Sequence, residues 1–183
     1  MPKATIANGD LTDLTDAYII IPNPSGGADF KINLNVLPDI SDSKSAVSNN
    51  EPIIGRSFPL KTYSHSDDRI ISVTIHLIAK KNSDLYTNLL IKRTLESCLY
   101  PRSDQTQSVP FKPPPVCKIK MGKLLADNEL CVIMKSCSVK YPTDVPWDYI
   151  TYTPWKFDID TNWEVVYRTS DLPGQEKIIS FGG

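Results

Sequence analysis

Apolar and polar residues alternate most cleanly over Arg69–Lys80. Ile71, Val73, Ile75, Leu77 and Ala79 fall on one side, with Ser72, Thr74, His76 and Ile78 on the other. A period of two with β-branched content predicts a half-buried strand. The same period appears over Asp29–Val36, where Phe30, Ile32, Leu34 and Val36 alternate with Lys31, Asn33 and Asn35. Ala17–Ile21 is a short apolar strand stopped by Pro22 and Pro24. Val116–Met121, Glu129–Tyr141 and Lys156–Val166 complete the predicted strands.

One stretch follows a helical pattern instead. Ser83 is the expected N-cap, Asp84 sits in the first turn, and Leu85, Tyr86, Leu89, Leu90, Leu95 and Cys98 follow. The helix should end near Leu99, before Pro101. Prolines cluster where strands should stop, at 22–24, 110–115 and 142–146. Residues 38–52 read as a Ser-, Asp- and Asn-rich loop, with an extended arm or an edge hairpin as the alternative. Residues 53–68 read as a polar loop feeding the strong strand. The expected organisation is an N-terminal arm over 1–16, a β domain over 17–168 and a tail over 169–183.

Composition narrows the class. The chain has 183 residues, 40% of them apolar, which suits one domain with a real core. Its formal net charge of -1 argues against a dedicated nucleic-acid binder, which needs a basic face. No apolar run approaches the ~20 residues that cross a bilayer. The polar start lacks the apolar core of a signal peptide, so a cytoplasmic site of synthesis and use is expected. Cys98, Cys117, Cys131 and Cys137 form no CxxC pair and are expected as buried thiols.

The chemical candidates are weak one by one. His65 stands beside Asp67 and Asp68, but sequence adjacency on a loop is not convergent geometry. His76 has no HxH or HExxH partner, which disfavours a metal site. The acidic alternation Asp158, Asp160, Glu164 lacks the glycine of a calcium loop. GRSFPLK lacks the GK[ST] of a phosphate loop. Trp147, Tyr149, Tyr152 and Trp155 form an aromatic cluster between prolines. It is expected to pack within the chain or at a protein interface, with sugar stacking a lesser alternative. No catalytic residue, cofactor or metal is assigned, and the chain is expected not to be an enzyme.

The order of the segments carries more information. Asp42, Lys44, Ser45 and Ala46 come first. Ile54, Gly55, Arg56, Ser57, Pro59, Tyr63, Ser66, Arg69, Ile71 and Ser72 follow. A helix then ends in Leu99–Tyr100–Pro101, before Pro114, Pro115, Val116 and Gly122. This order resembles the tube-fold baseplate proteins of contractile-tailed phages and related contractile injection systems. The likeness covers roughly residues 29–168, and its motifs are structural. Some members of that group continue into a LysM-like module. Here a short tail runs to Gly183, so a compact ring or adaptor subunit is expected.

The resemblance implies a mainly β fold with one flanking helix, its two antiparallel sheets forming a tail-tube-like sandwich or barrel. It implies a ring homo-oligomer, hexameric in this group, that joins the central hub or spike to the tail tube. Hub, tube and wedge proteins would be its partners. DNA would pass through the lumen without specific binding. The location would be the virion baseplate, assembled in the host cytoplasm, with no membrane contact. Lys44, Gly55, Arg56, Pro59, Tyr63 and Arg69 are the motif positions expected to serve assembly. The alternatives are an inner wedge subunit clamping the hub and, in a different class, a carbohydrate- or wall-binding module built on Trp147 and Trp155.

Overall fold

The computed structural model describes residues 16–23, 27–55, 57–103, 111–126 and 128–167. The elements run β1 (Ala17–Ile21), β2 (Phe30–Asn33), β3 (Asp39–Ser43), β4 (Ala46–Glu51), β5 (Leu60–Ser66) and β6 (Ile70–Ile78). The helix α1 (Asn82–Ser97) follows, then the short pair β7 (Arg102–Ser103) and β8 (Phe111–Lys112). The chain continues through β9 (Cys117–Met121), β10 (Leu130–Lys140), β11 (Trp147–Asp148), β12 (Thr153–Pro154) and β13 (Lys156–Val165). Of the expected arm over 1–16 only residue 16 is described, and the tail over 169–183, with residue 168 before it, lies outside the described residues.

Seven strands make one antiparallel sheet in the order β2-β1-β9-β10-β13-β6-β3. The expectation of two packed sheets is therefore corrected: the described residues form one large sheet, not closed into a barrel, and three two-stranded ribbons. The end strands β2 and β3 are neighbours in sequence, joined by residues 34–38. Five linking residues reach at most ~20 Å, so the sheet must curl until its two ends approach. Phe30–Asn35 and His76–Ile78 accordingly line the same cleft.

The inside of the curl is the apolar face. Ile71, Val73 and Ile75 from β6 meet Phe157, Ile159 and Trp163 from β13, all essentially buried. Ile19, Ile119 and Val132 extend the layer across the sheet, and Leu95 and Cys98 bring the end of α1 onto it. A bulge between Met134 and Ser136 inserts Lys135 into β10. Before it Val132 and Met134 point inward; after it Cys137 and Val139 do. The extra residue reverses the side-chain parity and keeps Ser136 and Ser138 on the outer face.

The helix is capped two residues earlier than the sequence suggests. The N-cap is Lys81, and Asp84 accepts the backbone N–H groups of Lys80 and Lys81, both at 3.0 Å. Those two bonds hold the Asp84 carboxyl below its ordinary pKa. Ser83 contributes a bond to Asp84 rather than the cap itself.

Candidate assembly surface

Residues 38–52 were expected as a loop, or as an extended arm or edge hairpin, and 53–68 as a loop; instead β3 joins the edge of the main sheet, and β4 and β5 form an antiparallel ribbon outside it. Neither strand shows a buried face; only Val47 and Thr62 are even half-covered. A ribbon exposed on both sides has no hydrophobic alternation, which explains why its sequence reads as loop. Its tip carries Ile54, fully exposed, and Phe58, 80% exposed. Gly55 turns the chain there at φ +86, a backbone conformation that a side chain resists.

The ribbon is anchored at its root. Arg69 donates from Nε to Asp42 Oδ1 at 2.9 Å and from a terminal nitrogen to Oδ2 at 2.6 Å. The same guanidinium reaches the carbonyl of Leu125 at 3.0 Å. Asp42 is next to the last paired residue of β3 and Arg69 immediately precedes β6, so the bidentate pair ties the two strands that flank the ribbon. Its hydrogen bonds hold the Asp42 carboxyl low and push Arg69 up. Asp67 adds a backbone bond to the Ser45 carbonyl at 2.9 Å and accepts from the Ser45 hydroxyl.

Of the six motif positions, Lys44, Gly55, Pro59 and Tyr63 lie on this ribbon or beside it, all exposed. Arg69 stands at its root, and Arg56 lies outside the described residues. Tyr63 directs its hydroxyl to Ser66 at 2.9 Å and leaves its ring in solvent. The structure thus gathers the described positions around one projecting element.

Ser64, His65 and Asp67 also sit on the ribbon. Ser64 Oγ lies 3.0 Å from His65 Nδ1, and His65 Nε2 lies 3.5 Å from Asp67. The chain order mimics a nucleophile, base and orienter. However, both His65 and Asp67 are largely exposed, and neither described cavity includes any of the three.

The outer face of the sheet is a cross-linked polar panel. Ser72 donates to Asn162 at 2.6 Å, Thr74 to Asp160 at 2.7 Å, and His76 pairs with Asp158 at 2.7 Å. Each pair stands directly opposite across β6 and β13. Asn162 passes the network to Ser136, and Lys140 reaches Asp160 at 2.7 Å. Lys135, the bulge residue, meets Glu164 at 2.7 Å. The Lys140 and Thr74 bonds hold the Asp160 carboxyl below its ordinary value. His76 is flanked by Asp158 and, at 3.3 Å, by Asp39. Among the described residues no group of three His, Cys, Asp or Glu is placed to hold a metal ion.

The aromatic cluster divides. Trp147 and Thr153–Pro154 form the small ribbon β11–β12, and the Trp147 indole donates to Pro142 at 3.2 Å. Tyr141 bridges it to the core, with ring centroids 6.4 Å from Trp147 and 5.7 Å from Phe157. Trp155 is half-buried, and its carbonyl accepts from Ala79 at 2.8 Å. Tyr149 and Tyr152 point outward, about four-fifths exposed. The two tryptophans therefore fasten the loop, and the two tyrosines form its open surface. No helix among the described residues is long and apolar enough to cross a membrane. No protein-family model matches the chain, and no curated protein matches it.

Proposed function

We propose that this chain is a structural subunit of a contractile-tail baseplate, joining hub or spike to tail tube by ring self-assembly. The motif order supports the family, and the β4–β5 ribbon carries the functional part. An anchored ribbon ending in Ile54 and Phe58, with no cover from its own chain among the described residues, suits burial against another chain. The ring would be hexameric by resemblance, with hub, tube and wedge proteins docking on it. The chain would act by assembly and not by catalysis.

The polar panel fits a surface that passes DNA without holding it. Glu164 and Asp160 are paired with Lys135 and Lys140, and Asp158 and Asp39 add further carboxylates, so the panel carries no excess positive charge to grip a phosphate backbone. The outward tyrosines, Tyr149 and Tyr152, suit a second protein contact.

Co-expression with the neighbouring tail gene products tests the reading, with native mass and negative-stain imaging as readouts. The expected result is a ring or a complex containing this chain, and its presence in purified particles. A chain that stays monomeric with all of them and is missing from particles overturns it. A saturable change in tryptophan fluorescence with glycans would favour the carbohydrate-binding alternative instead.

A further inference from the structure

Cys98 and Cys117 meet sulfur to sulfur in the core, 3.9 Å apart. Both side chains are fully buried. Cys98 caps the end of α1 and Cys117 opens β9. Each sulfur also rests against a carbonyl, Cys98 Sγ at 3.4 Å from that of Thr94 and Cys117 Sγ at 3.7 Å from that of Pro115. Those neighbours keep the two sulfurs side by side. Cys131 and Cys137 are half-covered, and Cys137 is the rival partner, since Cys98 is among the groups acting on its thiol.

A disulfide holds its sulfurs ~2.05 Å apart, so the gap to close is about 1.9 Å. Rotation about a Cα–Cβ bond moves a sulfur that far. The place also matters. Among the buried residues of α1, Leu95 belongs to the core cluster, while Leu85 and Asn88 do not. The helix therefore grips the sheet by its last turn, and Cys98 stands just past it, itself in the cluster. A covalent bond there fixes that grip.

We propose that Cys98 and Cys117 form an oxidation site that closes to a disulfide by exchange with a small-molecule disulfide and reopens in excess thiol. One cysteine loses its proton to solvent, and its thiolate attacks a sulfur of the small disulfide. One half of the reagent leaves as a thiolate and takes up a proton. The second cysteine then loses its proton and attacks the protein sulfur of the mixed disulfide, expelling the other half. Two electrons leave the protein, and the reagent departs as two thiols. Burial keeps the reagent out, so each exchange waits for the end of α1 to open. Closure is therefore slow, and so is reduction of the closed form. The bond joins residues 98 and 117 around a loop of about 20 residues, which narrows the unfolded ensemble. The β7–β8 pair lies within that loop. The site does not depend on the assembly reading, which requires no change of oxidation state.

Incubating the full chain with oxidised glutathione at mildly alkaline pH, then mapping its peptides without reductant, tests the proposal. The expected product is lighter than the reduced chain by two hydrogens and joins the peptide holding Cys98 to the one holding Cys117. Its Tm should rise by roughly 5–10 °C and return after dithiothreitol. Cys98→Ala and Cys117→Ala should each lose the bond and the rise, whereas Cys131→Ala with Cys137→Ala should keep both. The same incubation in urea below the unfolding transition speeds opening and removes slow access as an explanation for a negative result. A chain that takes up glutathione at Cys131 or Cys137 yet joins no Cys98 to Cys117 under either condition overturns the proposal. A bond from Cys98 to Cys137 overturns it as well. So does a Cys98–Cys117 bond that leaves Tm unchanged or lowered, since it would not fasten the helix.

Discussion

Arg69 closes on Asp42 with two nitrogens, and its terminal nitrogen also reaches the Leu125 carbonyl at 3.0 Å. One side chain thereby joins the start of β6, the end of β3 and the loop after β9. The pair is about one-third exposed at Asp42, so solvent screens it in part. Arg69→Met should cost about 1–2 kcal/mol, the lower range for charge-assisted hydrogen bonds, read as the urea midpoint.

The same pair sets a pH dependence. The Asp42 carboxyl is held low by Arg69, so the folded state takes up its proton less readily than the unfolded chain. Its contribution is complete above the unfolded value of ~3.9 and fades as pH falls through the lower folded value. The raised Arg69 pKa adds nothing in the accessible range. Stability should therefore be flat from neutral pH down to about 5 in this respect and fall below about 4. Asp84, Asp148, Asp160 and Glu129 are shifted the same way and add to the loss. In Arg69→Met the acid-induced fall in the urea midpoint should be smaller than in the parent, and an unchanged fall would show that Asp42 takes no part.

Thr161 is a hydroxyl in an apolar layer, and two buried groups depend on it. It donates to the Val73 carbonyl at 2.8 Å and accepts from the Trp163 indole at 2.8 Å. Thr161→Val keeps the shape and raises hydrophobicity, yet leaves the Trp163 N–H without its acceptor. The expected loss is about 2 kcal/mol. Thr161→Ser keeps the hydroxyl and gives up one methyl, for a loss of about 1 kcal/mol. Denaturation followed by tryptophan fluorescence separates the two. A stabilised valine variant would show that burial outweighs the hydrogen bonds.

Burial, with Glu96 nearby, raises the Cys137 thiol to about 11. At pH 8 its thiolate fraction should lie roughly two orders of magnitude below that of an ordinary cysteine near 8.5. Alkylation followed by mass spectrometry should find Cys137 reacting about a hundredfold slower than a free thiol. Reaction at the ordinary rate in the folded protein would rule out the burial account. All four cysteines are expected buried from the sequence, whereas only Cys98 and Cys117 are, and Cys131 and Cys137 are half-covered.

The strands that could be read from the sequence are those with one wet and one dry face. Ala17–Ile21, Ile70–Ile78 and Lys156–Val165 alternate without interruption, and their bounds match the expectation to within a residue or two. β10 was found as a strand, but its bulge at Lys135 switches which residues point inward, a change that no fixed period can express. The β4–β5 ribbon is legible only as the alternative hairpin over 38–52, and its second strand not at all, because both of its faces are wet. Pairing of β2's neighbour in sequence with β6 was equally hidden, since residues 34–38 carry no sign that the chain is crossing from one end of the sheet to the other. The motif positions were found by likeness alone. Only the fold reveals that most of them surround one ribbon.

That ribbon gives the sharpest separation of stability from assembly. Ile54 and Phe58 touch little of their own chain, so Ile54→Ser with Phe58→Ser should change the urea midpoint by no more than about 0.5 kcal/mol equivalent. If the tip is buried in a partner, the same double change exposes two hydroxyls to a dry pocket and removes two large apolar anchors. Each lost anchor is a candidate for 2 kcal/mol or more of binding, a weakening of about thirtyfold. Incorporation into particles should then fall by at least tenfold while the isolated variant melts like the parent. Normal incorporation of a stable double variant would remove the tip from the assembly surface. Placing the substitutions at Tyr149 and Tyr152 in a parallel variant tells whether the aromatic loop is a separate contact, since those side chains are equally exposed and lie on a different ribbon.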